Sequence, residues 1–253
     1  MDMDIPVAPR GNHLMASLPQ GEQAQLLALT ETLQLACGNV LYESGERITH
    51  LHFPSTAVVF LVCAMENGTT AEAGMVGCEG VVGIDALLGA ETAAQRAVAQ
   101  VAGRSHRIAV APARELFRRG GAFQRAVLLH TQALMAQIAQ TAACNALHSM
   151  EKRLCRWLLL MRDRMECDEI RMTHDMIAHL LGVRREGVTV AARRLQAMGL
   201  IRYARGHILL SDRRAIEAGA CECYRAVAGW PASSVLGGAT RLGSARLRPN
   251  AAQ

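Results

Sequence analysis

The chain has 253 residues, of which 51% are apolar and 19% charged, which suits two ordinary domains with proper cores and excludes a disordered chain. Its charge is uneven: residues 170–228 carry ten arginines against five acids, a formal +5, whereas residues 1–169 sum to −3. That imbalance points a polyanionic partner at the C-terminal part, and the acidic start Met1-Asp2-Met3-Asp4-Ile5-Pro6 is unlike a secretory leader, so a cytoplasmic location is expected.

Residues 35–112 are short apolar runs broken by glycines: Asn39–Tyr42, Ile48–Phe53, Val58–Met65, Thr69–Val76, Val81–Gly83, Ala97–Val101 and Ser105–Val110. Such spacing predicts an antiparallel β-roll of jelly-roll type, with Asn67-Gly68 as a hairpin turn. Glycines at 74, 77, 80 and 83 recur every third residue without the lysine and hydroxyl of a phosphate loop, and are read as corners of the roll. His50 and His52 share a strand face and are read as surface histidines in preference to metal or haem ligands.

From Ala126 to Met150 no Asp, Glu, Lys or Arg occurs over 25 residues. A bilayer span is rejected because His130, Gln132, Gln137, Gln140, Asn145 and His148 would be poorly satisfied in hydrocarbon. A helix apolar around most of its circumference is expected to pack on its own domain and on a partner. Val127, Leu134, Ile138 and Thr141 form a near-heptad stripe assigned to a parallel dimer, leaving Leu128, Met135, Ala139 and Ala142 for the roll. A hinge is placed around His148. Ser149 is the expected N-cap of a following helix whose Leu154, Trp157, Leu158, Met161 and Met165 make one apolar face.

Two short amphipathic helices follow, one with Met176, Ile177, Leu180 and Leu181 and one with Val188, Ala191, Ala192 and Leu195 at helical spacing. Gly182 between them fits the turn of a helix-turn-helix. Gly199 stops the second helix before Leu200-Ile201, and a hairpin turning at Arg205-Gly206 makes a wing. The second helix keeps a solvent face of Arg184, Arg185, Glu186, Thr189, Arg193 and Arg194. An arginine fork can bond guanine and a carboxylate can accept from cytosine, so Arg185 and Glu186 are the expected base readers. Thr173 as an N-cap, His174, Arg205 and His207 complete the expected DNA contacts. Residues 229–253 lack periodicity and are expected to be a disordered basic tail.

The C-terminal half resembles the DNA-binding domain of the Crp/Fnr transcription regulators, through Ile177-Ala178, Gly182, Arg185-Glu186-Gly187-Val188 and Gly199-Leu200-Ile201. Relatives commonly have a further base-reading arginine where this chain has Val190, for which a thymine methyl contact is one option. The roll is similar to the family's cyclic-nucleotide-type sensor through Leu51-His52-Phe53-Pro54 and Val76-Gly77-Cys78-Glu79-Gly80. The resemblance implies an α+β chain with a sensor roll over 15–120, a dimerisation helix over 121–147 and a winged helix-turn-helix over 148–228. It implies a homodimer on double-stranded DNA at a pseudo-palindromic operator, an unknown small-molecule effector and, for an activator, RNA polymerase.

The family's nucleotide contacts do not carry over. Where a Gly-Glu pair would meet the ribose and an Arg-Ser or Arg-Thr pair the phosphate, this chain has Gly83-Ile84 and Arg96-Ala97, so cyclic AMP is not expected, and Arg96 with Asp85 are the remaining effector candidates. No iron–sulfur cluster is expected, since no cysteine precedes Cys37. Cys221 and Cys223 are too lone a pair for a cluster or a zinc site, and no metal is expected. All eight cysteines are read as mainly reduced. No nucleophile elbow, zinc helix or phosphate loop appears, so an enzyme is not expected. The rivals kept are a redox enzyme using Cys221 and Cys223, and a nucleotide- or redox-sensing protein acting through protein partners.

Overall fold

The structure, a computed structural model, describes residues 11–228; the expected disordered tail therefore lies outside the described residues. In chain order the elements are α1 (His13–Ala16), α2 (Gln20–Ala28), β1 (Glu31–Leu35), β2 (Val40–Tyr42), β3 (His50–Pro54), β4 (Val58–Ala64) and β5 (Thr70–Val76). There follow α3 (Asp85–Leu88), β6 (Arg96–Val101), β7 (Gly103–Ala109), α4 (Val110–Arg118), α5 (Gly121–Leu147) and α6 (Met150–Met165). Last come β8 (Glu169–Arg171), α7 (His174–Leu181), α8 (Arg185–Ala197), β9 (Ile201–Ala204), β10 (His207–Leu210), α9 (Arg213–Gly219) and α10 (Glu222–Val227).

The roll is built from two antiparallel sheets, ordered β1-β7-β3 and β2-β6-β4-β5. Their inner faces meet over Leu35, Leu51, Phe53, Val59, Leu61, Val76, Ala97 and Ile108. The β4–β5 hairpin turns at Asn67-Gly68, where Gly68 has φ 80° and the Asn67 side chain accepts from the Thr69 amide at 3.0 Å. Strand β1 escapes the sequence reading because Glu-Thr-Leu-Gln-Leu offers only two apolar residues.

The run Val58–Val62 is apolar at every position because both of its faces are buried. Val59 and Leu61 point into the roll, while Val58, Phe60 and Val62 join a second core with Trp157, Leu158 and Met161 of α6 and Ile177, Val188 and Leu195 beyond it. The Phe60 and Trp157 rings lie 6.4 Å apart. The Trp157 indole N–H donates to the Glu72 carboxylate at 2.9 Å. Burial raises the Glu72 carboxyl to about 7. Helix α6 is thus buried through the whole stretch Leu154–Met161, not along the single apolar face expected of it, since the sheet covers one side and helices α7 and α8 another.

Helix α5 has 27 residues, about 40 Å of helix. Among the described residues no helix is long and apolar enough to cross a membrane. The face of α5 that meets the roll is largely the one assigned to a partner from the sequence. Val127 is fully buried and Leu134 nearly so against the chain's own roll, with Ile138 half-buried beside them, while Thr141 is buried where Arg156 of α6 bonds its hydroxyl. Leu128 and Met135 are instead 47% and 67% exposed, and Ala139 and Ala142 are exposed with them. Gly77 and Gly80 bracket a turn, the Gly80 amide bonding the Gly77 carbonyl, and are also landing points for helices: a Cβ at Gly77 would stand 2.6 Å from Cβ of Arg164, and one at Gly80 would overlap the His130 ring. Only Gly83 of the four has a positive φ.

Two further expectations change. His52 is buried and not a surface histidine, and its burial lowers its pKa to about 4. Cys221 and Cys223 are not a lone pair, because the folded chain brings Cys144 and His148 beside them. The break between α5 and α6 falls at His148 and Ser149, both extended, with Ser149 at the N-cap position but making no side-chain capping bond.

Candidate nucleic-acid interface

Helix α7 starts where Thr173 accepts a hydrogen bond from the Met176 amide at 3.2 Å, the expected N-cap. It ends at Gly182, left-handed at φ 62°, after which the Val183 amide bonds back to Ala178 at 3.0 Å. A Cβ is disfavoured in that conformation, which makes Gly182 the pivot of the helix-turn-helix. Helix α8 buries Val188, Ala191, Ala192 and Leu195, as its periodicity predicts. Arg184 occupies its N-cap without a side-chain capping bond, forgoing on the order of 1 kcal/mol.

The outward face of α8 presents Arg184, Arg185, Glu186 and Arg193, all exposed and none of them in an ion pair among the described residues. Their hydrogen-bonding capacity is therefore left to water or a partner. Arg194, on the same helix, is committed differently, pairing with Glu151 of α6. Val190 is 48% exposed on the reading face.

Thr189 and His174 occupy this region without facing outward freely. The Thr189 hydroxyl donates to the Arg185 carbonyl at 3.0 Å and meets His174 Nδ1 at 3.1 Å. The His174 ring stacks on Tyr203 of β9, with centroids 4.0 Å apart and planes 19° from parallel, and its Nε2 is buried without a partner. Burial, with Arg185 and Arg193 nearby, lowers the His174 pKa. His174 is packed between α8 and the wing strand β9. Tyr203 was missed, although an aromatic in the first wing strand was the available signal.

The wing has three strands in the order β8-β10-β9. Strand β8, only three residues, shows no usable alternation. At its tip Arg205 and Gly206 both have positive φ, 50° and 83°, the backbone of a two-residue hairpin turn, and Arg205 is exposed there. His207 is exposed too, yet its Nδ1 lies 2.7 Å from the Glu169 carboxylate, which Arg171 also approaches. His207 and then Arg171 hold the Glu169 carboxyl below its usual range. At the tip Arg205 makes no ion pair among the described residues, whereas His207 is tethered to Glu169.

The effector candidates of the roll are not joined by any bond. Arg96 on β6 faces Glu43 at 3.2 Å, and Asp85 opens α3 near the buried Tyr42, whose phenol pKa burial and then that carboxylate raise. Ile84 is buried in the roll core, as its side chain demands.

A family model for the Crp-like helix-turn-helix domain matches residues 152–218. No curated protein matches the chain. Among solved structures, FixK2 from Bradyrhizobium japonicum is similar at a TM-score of 0.66 and 14% identity, covering 76% of this chain and 98% of that one. The c-di-GMP-responsive global regulator CLP of Xanthomonas campestris follows at 0.63 and 17%, covering 77% and 100%. TTHB099, a regulator of the CRP family from Thermus thermophilus, is similar at 0.61 and 21%, covering 74% and 96%.

Proposed function

We propose that this chain, which carries a Crp-like helix-turn-helix domain on the fold of the Crp/Fnr regulators, is a cytoplasmic, sequence-specific transcription regulator that reads a pseudo-palindromic operator as a homodimer. The observation that carries this reading is the first turn of α8, where Arg185 and Glu186 stand exposed and unpaired among the described residues, with Arg184 before them. In a major groove Arg185 would bond a guanine edge, Glu186 would accept from a cytosine amino group, and Val190 would meet a thymine methyl. Thr173, with the N-terminal amides of α7, and Arg193 and Arg205 would hold phosphates, while Thr189, His174 and His207 keep those groups in place.

The dimer is supported by the opposite face of α5 from that read in the sequence. Leu128, Gln132, Met135, Ala139, Ala142 and Ala146 recur at alternating spacings of four and three residues on the side turned away from the roll, the seam of a parallel helix pair. Small residues toward its C-terminal end favour close helix approach. A two-fold axis along this seam would set two reading helices roughly 34 Å apart, in successive major grooves. The roll would carry the effector, of a kind other than cyclic AMP, and RNA polymerase would be met if the regulator activates.

Selection of bound fragments from random DNA tests the reading. A two-fold symmetric site is expected, with Met135→Glu reducing the protein to a monomer in sedimentation and weakening binding to that site markedly. An asymmetric or featureless selection would refute it.

A further inference from the structure

Cys144 and His148 lie one helical turn apart at the end of α5, and Cys221 and Cys223 lie at the N-cap and in the first turn of α10, after the wing. The fold brings these four side chains together, so that their donor atoms all lie within 4.8 Å of one another. The Cys144 and Cys221 sulfurs are 3.5 Å apart, and Cys223 Sγ is 3.5 Å from His148 Nδ1. The three cysteines are at most 4% exposed and form a small core of their own, with no aliphatic or aromatic member.

We propose that Cys144, His148, Cys221 and Cys223 bind a single thiophilic divalent cation, of which zinc is the natural example, in a closed tetrahedral site. Three thiolates and an imidazole are a structural zinc set, and metal–sulfur bonds of about 2.3 Å in a tetrahedron put sulfurs roughly 3.8 Å apart. The observed spacing needs only small side-chain adjustment. Four donors around one point leave no position open for substrate, so the site is structural and not catalytic.

Two neighbours fit the same reading. His148 Nε2 lies 3.4 Å from the Glu222 carboxylate, which fixes the proton on that nitrogen and leaves Nδ1 as the donor toward the cysteines. Gln140 donates to Cys223 Sγ at 3.0 Å, as a thiolate acceptor requires. Arg156 is buried near Cys144, bonds the neutral Thr141 hydroxyl and makes no ion pair among the described residues. Three thiolates on a dication carry one net negative charge, which would give that guanidinium a counter-charge.

The site lies outside the segment matched by the family model, two donors before residue 152 and two after residue 218. The ion would clamp both ends of the reading domain, at the break between α5 and α6. Helix α10, with six residues, is far below the length at which a helix persists unaided, so the clamp would also hold it in place. The inference stands apart from the DNA-reading proposal, since metal binding is measured without DNA.

The test is metal analysis of the purified, reduced full-length protein, followed by replacement with cobalt(II). One ion per chain is expected, with the intense visible absorption of tetrahedral cobalt–thiolate coordination. Cys223→Ser and His148→Ala should lose the ion or bind it more weakly, while Cys37→Ser, at an exposed cysteine elsewhere, should retain it. Chelation should lower the melting temperature of the wild type. Failure of the reduced wild-type chain to take up zinc or cobalt stoichiometrically overturns the proposal, as does a Cys144–Cys221 disulfide in protein isolated under reducing conditions. If a variant misfolds, the wild-type stoichiometry and cobalt spectrum still decide.

Discussion

Arg185 and Arg96 are arginines on two surfaces of the same molecule, and their surroundings differ in kind. Arg185 is exposed at the start of α8 with no ion pair among the described residues, whereas Arg96 on the roll faces Glu43 at 3.2 Å. A guanidinium already holding a carboxylate must give it up before it can hold a phosphate, so the same residue type is ready for an anion in one place and engaged in the other. The guanidinium on α8 is free to meet an anion, and the one on the roll is held.

The contact between these two regions gives the largest expected effect. Glu72 of the roll, bonded to Trp157 of α6, has its pKa raised by burial from 4.5 to about 7, so its protonated form favours the folded state. That contribution is complete below pH 4.5 and is lost as pH rises through about 7, amounting to roughly 3 kcal/mol over the window. Glu72→Gln keeps an acceptor for the indole and should remove the slope. Urea unfolding at pH 5 and pH 7.5 checks this; an equal slope in both proteins would show that the junction does not sense protons.

Next in size is the contrast between the two arginines. Arg185→Ala should reduce discrimination between the selected site and a scrambled one by about 1–3 kcal/mol, and Arg96→Ala should leave it unchanged, in competition binding at fixed salt. Equal losses would erase the distinction drawn between the two surfaces. The smallest expected effect is none at all: cyclic AMP titrated to submillimolar concentration should give no binding heat. A heat that disappears in Arg96→Ala would mean that Glu43 yields to a phosphate.

The parts of this molecule written in local pattern were readable, and those written in long-range contact were not. Met176, Ile177, Leu180 and Leu181, the αL turn at Gly182, and the hairpin at Arg205-Gly206 follow from spacing and backbone chemistry, and the structure has them. Periodicity showed that α5 has two apolar faces but could not say which one meets the roll, because Leu134 and Met135 are equally apolar. The landing role of Gly77 and Gly80 depends on Arg164 and His130, remote in sequence. The same distance hid Cys144 and His148 from Cys221 and Cys223. Thr189 and His174 have the right chemistry for DNA, but the hydroxyl and the ring are occupied by each other and by Tyr203.

Strand β4 has a consequence for how the molecule can be divided. Its outer residues Val58, Phe60 and Val62 supply part of the apolar wall around Trp157, so a fragment begun at Ser149 would enter water with an indole and several leucines uncovered. Each large side chain so stripped costs about 1.5–3 kcal/mol. The portable unit for transplanting the proposed DNA specificity into another protein therefore includes the sheet, and a swap made at the helix break alone would carry away a helix-turn-helix lacking one side of its own interior.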